Sequence, residues 1–367
     1  MPYRIVTKPI PFPRAFGATN DAAILSQAAI LLLMDLGIRR DRAMLAHHRS
    51  AIRTLRVPTI NTRGRRVRVE EAESSLGVSP LGSERQVLPV RRFGRLADDC
   101  RKEPHPLAVA RLMEACLRHP HALVRAAAAI SYFAHTSEPS RLTKVLEDCT
   151  HSDDDLIRHV AATGLAKRAP ESPRLSELSR PPSPGTQGSS THTSLLVHGT
   201  WAANEQWWKP GGNFHSYLLN GCRPDLYANA DAFSWSGAYS EDGRALAATQ
   251  LQAWLAAPGH TIQNPYLLTH SHGGSVVMLA TQNGLNTGPL VLMSCPVHSI
   301  YVPDFSRTGP VVSIRVKLDL VILIDGGGQR FTDPRITERV LPIWFDHFAS
   351  HSPAVWQRHN LCSKIPP

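Results

Sequence analysis

No Cys-x-x-Cys spacing occurs in this chain; its six cysteines stand scattered at 100, 116, 149, 222, 295 and 362. That excludes the common zinc and dithiol-redox patterns. The spacings suggest no disulfide framework either, so a reducing, cytoplasmic setting is expected. No His-Glu-x-x-His segment appears among the histidines, and neither a metal nor a cofactor is expected. The glycine run 326–328 lacks the Lys-Ser/Thr of a phosphate-cradling loop. Residues 22–34 form an apolar stretch, but one too short to span a bilayer. No clean cleavage pattern follows Lys8 and Arg14, so the stretch reads as a helix near 21–38, with secretion as the alternative.

The net charge of +10 is uneven. Residues 1–100 hold 17 Lys+Arg against 9 Asp+Glu. The run Arg63-Gly64-Arg65-Arg66-Val67-Arg68 carries no interleaved aromatics and no recognition motif, so it reads as a solvated basic segment and nucleic acid is not an expected partner. Short β-like runs lie within 56–96, but no fold can be assigned to residues 1–100.

Four regions follow from composition and pattern: 1–100, basic; 101–173, helical repeats; 174–192, a Pro/Ser/Gly-rich linker; and 193–367, an α/β domain of about 175 residues. Within the second, residues 108–173 repeat with period 33. Glu114/Glu147, Cys116/Cys149, Leu123/Leu156, Arg125/Arg158, Ala128/Ala161, Ala129/Ala162 and Glu138/Glu171 are identical pairs. Each unit reads as helix, polar turn and Ala-rich helix. The pattern resembles HEAT-type helical repeats, which implies stacked helix pairs and a protein-docking surface or a structural cap.

From 193 onward strands and helices alternate, which favours a mostly parallel sheet. Strands are expected near 194–198, 231–235, 266–270, 289–294 and 311–317, and helices near 243–257, 273–284 and 352–361. Leu267-Leu268-Thr269-His270-Ser271-His272-Gly273-Gly274 reads as a strand running through a tight turn into a helix, with Ser271 at the turn. Thr269 stands where G-x-S-x-G has its first glycine. Upstream, Leu195-Leu196-Val197-His198-Gly199-Thr200-Trp201 is a short strand whose end offers a second backbone donor for an oxyanion.

Together with Phe233-Ser234-Trp235-Ser236-Gly237, these segments make residues 193–367 resemble the α/β-hydrolase superfamily, lipase/esterase type. The resemblance covers the second half of the chain only. It implies a small α/β-hydrolase domain and a serine, acid, histidine order along the chain. Ser271 would be the nucleophile and the N–H groups of Thr200 and His272 the oxyanion donors. Asp319, after the strand 311–317, would be the acid, with Asp325 its rival. For the base, His351 is preferred over His347 because it sits at a loop–helix junction before Pro353. Trp201, His198 and His270 would line the substrate site.

The expected activity is hydrolysis of a small-molecule or lipid carboxylic ester through an acyl-enzyme, with short to medium acyl chains favoured because no segment is long enough for a bulky lid. Two alternatives stand beside it: a hydrolase of thioesters or amides, and a catalytically weak scaffold that binds a protein partner through its repeats.

Overall fold

The computed structural model describes residues 19–38, 41–58, 90–102, 105–179, 193–257, 260 and 262–367. The basic run 63–68, most of the β-like region 56–96 and residues 180–192 of the expected linker lie outside them. The described chain divides into two compact units, residues 1–172 and 173–367. Among the described residues no helix is long and apolar enough to cross a membrane.

The first unit is helical. It contains α1 (Thr19–Ile38), α2 (Arg42–His47), α3 (Arg49–Thr54), α4 (Val90–Lys102), α5 (Pro106–Leu117), α6 (Ala122–Tyr132), α7 (Pro139–Cys149) and α8 (Asp155–Arg168). The pairs α5/α6 and α7/α8 start 33 residues apart, at the offset of the sequence repeat. Proline opens α5 and α7, where its missing N–H costs nothing. His121 and Asp154 cap α6 and α8. Ala126 to Ala129 are buried on α6, and their small side chains let neighbouring helices approach closely. α1 packs on α6, where the Ser131 hydroxyl donates to the Leu31 carbonyl at 2.8 Å. Buried Glu114 takes a bidentate pair from Arg141, and Arg168 reaches Asp35 at 2.6 Å.

The second unit is α/β. After the short helix α9 (Pro173–Leu178) come β1 (Ser194–Val197), α10 (Asn213–Gly221), α11 (Glu241–Leu255), β2 (Tyr266–His270), α12 (His272–Gln282), β3 (Leu290–Met293), β4 (Val311–Lys317), α13 (Leu320–Asp325), β5 (Ile336–Trp344) and α14 (Pro353–Arg358). The five strands form one sheet in the order β1-β2-β3-β4-β5, every pair parallel. Leu195, Leu267, Leu290, Val311 and Ile336 stand in register across it. They share a core with Ala247, Leu251, Val276 and Val277 of α11 and α12. One residue along each strand, Leu196, Leu268, Val291 and Val312 face the opposite core, with Phe214 of α10 and Trp356 of α14. Two covered faces explain why β1 to β3 read as unbroken apolar runs.

Three expectations are corrected. Residues 231–235 are not a strand. Phe233 and Trp235 enter the core, but the β1 edge is taken by the preceding segment, where the Tyr227 N–H donates to the Ser194 carbonyl at 2.8 Å and Leu226 bridges Ser194. β5 was not foreseen. It carries Glu338, Arg339 and Pro342, and Pro is tolerated there because β5 is an edge strand. Two of the six cysteines do pair: Cys222, which caps α10, is bonded to Cys362 across 140 residues, with Cα atoms 5.2 Å apart, while the other four are free. Local spacing cannot reveal a bond that tertiary structure creates, and the bond removes the argument for a reducing compartment.

Candidate functional site

All the strands run the same way, so their carboxyl ends lie along one edge of the sheet, where parallel α/β folds gather functional groups. β1 ends toward Thr200, β2 at Ser271, β4 toward Asp319 and β5 toward His347.

Ser271 separates fully buried β2 from α12 with φ 52° and ψ −133°. A non-glycine residue at positive φ is costly, roughly 1–3 kcal/mol, and persists only where its surroundings hold it. They do so here. The Ser271 N–H donates to the Met293 carbonyl at 2.9 Å, and the Gly274 N–H donates back to the Ser271 carbonyl at 3.0 Å. Two glycines let the end of β1 press against this turn. A Cβ on Gly199 would lie 2.7 Å from Ser271 Cβ, and one on Gly273 would lie 2.5 Å from the His198 carbonyl oxygen. Thr269 fits in place of glycine because its hydroxyl is taken up by the Val291 carbonyl at 3.2 Å.

Asp319 has two roles. Its Oδ1 accepts from the N–H groups of Val321 and Ile322, capping α13. Its Oδ2 lies 2.7 Å from His347 Nδ1, and both side chains are buried. The carboxylate therefore fixes the tautomer with Nδ1 protonated, leaving the buried His347 Nε2 without a hydrogen-bond partner among the described residues. The His270 side chain, just before Ser271, meets the His347 carbonyl at 3.3 Å and ties the turn to this histidine.

His351 was the preferred base, but the imidazole on Asp319 is that of His347. In an α-helix residues four apart would share a face. Residues His347–His351 instead form a 3-10 turn, in which four residues advance the side chain about 120° beyond a full turn. His351 is carried aside and stacks on Trp207, ring centroids 4.0 Å apart. Asp325, the rival acid, serves other histidines: it meets His272 Nε2 at 3.3 Å and His298 Nε2 at 2.7 Å, and accepts from the Tyr239 hydroxyl at 2.6 Å.

Thr200 and His272 are joined by a hydrogen bond between Thr200 Oγ1 and His272 Nδ1, 3.0 Å, which bolts the loop after β1 to the first residue of α12. Trp201 adopts φ 64°, donates its N–H to the Gly237 carbonyl, and stacks on Tyr239. Its buried indole N–H has no hydrogen-bond partner among the described residues. His198, expected to line the substrate site, packs among aromatic rings. It is fully buried between Trp208 and Trp235, with Nδ1 donating to the Gly199 carbonyl at 2.8 Å and Nε2 accepting from the Trp235 N–H at 3.3 Å. His270 is likewise buried, among Trp207, His347 and His351. Trp207, Trp208 and Phe214 belong to the core.

Electrostatics follow burial. Desolvation pushes His198 down to about 4 and lowers His272, with Asp325 opposing the latter shift. Burial would raise Asp325, but His272 and His298 hold it well below the ordinary carboxylate range. Burial, with Asp325 alongside, raises the Tyr239 hydroxyl. Tyr239 and His298 were not foreseen. The only signal was the nearby Ser236-Gly237 turn for one, and the segment after β3 for the other.

No known protein-family model matches the chain, and no curated protein matches it.

Proposed function

We propose that residues 193–367 are a small α/β-hydrolase-type domain that cleaves carboxylic esters through an acyl-enzyme. The observation that carries this reading is the buried Asp319–His347 pair with its unpartnered Nε2, on the same sheet edge as the strained serine turn. Ser271 Oγ bonds to the acyl carbon while His347 Nε2 takes the serine proton. The imidazolium, steadied by Asp319, returns that proton to the leaving alkoxide as the C–O bond breaks. Water then adds to the acyl carbon, giving up a proton to His347, and the acid leaves as serine is restored. The N–H groups of Thr200 and His272 bind the oxyanion. Trp201 borders it with an uncommitted indole donor. Acyl chains of short to medium length fit a site whose neighbouring tryptophans are already packed into the core.

The helix pairs of the first unit, offset by 33 residues, support reading them as HEAT-type repeats, with a protein partner as their natural ligand.

The test is a p-nitrophenyl ester panel, acetate to palmitate, on wild type and Ser271→Ala. Loss of a triad member costs on the order of 10⁴-fold in kcat. A Ser271→Ala protein with unchanged circular dichroism that keeps more than about a tenth of the wild-type rate removes serine catalysis.

A further inference from the structure

Ester cleavage uses one flank of the serine turn. On the other, three side chains from separate elements converge. His272 opens α12, His298 follows β3, and Asp325 ends α13. One ring nitrogen from each histidine and a carboxylate oxygen of Asp325 all lie within 4.8 Å of one another. We propose that these three groups bind a divalent transition-metal ion of the zinc type, with its fourth position open to water. Two imidazoles and a carboxylate are the donor set such an ion favours.

Three features of the cluster support a binding role. The first is room. A Cβ on Gly327 would lie 2.9 Å from Asp325 Oδ2 and 3.1 Å from His298 Nε2, so the backbone passes the convergence point only as glycine. The second is orientation from behind. Asp325 Oδ1 accepts from Tyr239 and Oδ2 from the Gly327 N–H at 3.1 Å, while Thr200 Oγ1 holds His272 Nδ1. Supporting bonds of this kind aim and fix ligands at metal sites. The third is the approach of the donors. His272 Nε2 faces Asp325 Oδ1 at 3.3 Å and His298 Nε2 faces Oδ2 at 2.7 Å, so a metal ion would take the place of the protons shared there. The two imidazole planes are nearly parallel, 12° apart.

One group opposes the ion. The Arg244 guanidinium lies over the rings of Tyr239 and Tyr301, its Nε committed to the Tyr301 hydroxyl at 2.9 Å. Its charge, together with only three protein ligands, sets the affinity below that of a four-ligand structural zinc site.

The experiment uses the untagged full chain, stripped with chelator and titrated calorimetrically with zinc chloride. In parallel, cobalt(II) is added and its visible absorption recorded. One zinc per chain is expected, with an intense tetrahedral-type cobalt spectrum. His298→Gln and Asp325→Asn should each weaken zinc by at least about tenfold and abolish the cobalt band. His298 is the most exposed of the three, so His298→Gln keeps the test open should the buried Asp325 variant not fold. Zinc should also raise the Tm of wild type and leave that of His298→Gln unchanged. No saturable zinc uptake overturns the proposal. So does uptake that both folded variants retain, which assigns the metal to other histidines. Neither readout depends on esterase activity, so this site and the ester-hydrolase reading fail separately.

Discussion

His347 and His351 show how a side-chain pairing turns on local backbone form. Both lie in the same pentapeptide and both are buried, but only His347 meets Asp319. His347→Ala should lower kcat on p-nitrophenyl acetate by about 10³-fold or more, whereas His351→Ala should stay within about tenfold of wild type. The opposite ranking would return the base to His351. His198 gives a second residue-level expectation. Its Nε2 accepts from the Trp235 N–H, so protonation there sets two donors against each other. Its folded pKa, about 4, lies below the ordinary value of 6.5. The unfolded chain therefore binds the proton first, and the contribution is complete above pH 6.5 and lost as pH falls toward 4. Urea melts should lose on the order of 3 kcal/mol from this group across that window. A His198→Gln protein should show a correspondingly flatter profile, and an unchanged slope would assign the loss to other histidines. The placement of Ser271, Thr200 and Asp319 at strand ends was legible from sequence, because a strand end followed by a small or acidic residue is a local pattern. The pairing of Asp319 with His347 was not, because a contact across 28 residues depends on tertiary structure and not on local spacing.

Elements show the same division. β1, β2 and β3 were readable as apolar runs because both faces of the sheet are covered. β5 was not, since an edge strand alternates with solvent and tolerates Pro342. The segment 231–235 misled in the opposite sense: Phe233 and Trp235 are spaced like a strand's inward residues, yet no partner strand was left for them. Contacts between elements also make glycine substitutions unequal. Gly273→Ala drives a Cβ into the carbonyls of His198 and Val197, where backbone cannot yield. It should cost about 1–3 kcal/mol in chemical melts and lower esterase activity by shifting the α12 terminus. Gly94→Ala, in α4 with open space around it, should instead stabilise by roughly 0.5–1 kcal/mol. Equal effects would mean that the turn is looser than its contacts imply.

At the scale of the molecule, the two units and the one disulfide decide how the chain comes apart. Cys222–Cys362 closes a loop of 140 residues around the sheet. In the chain-entropy account such a loop is worth about 5 kcal/mol. Reduction, or Cys222→Ser, should therefore lower the transition of residues 173–367 in calorimetry and leave that of residues 1–172 in place. A shift of both together would mean that the units unfold as one.

Strand order has a last consequence, for synthesis. Each strand of the sheet pairs with the one made just before it, so the sheet can be laid down in the order in which the chain leaves the ribosome. Ser271 is in place after two strands and Asp319 after four, but His347 arrives only behind the fifth. A nascent chain halted before β5 carries the serine turn and Asp319 without the histidine that meets it. The Asp319–His347 pair closes only once the fifth strand has docked.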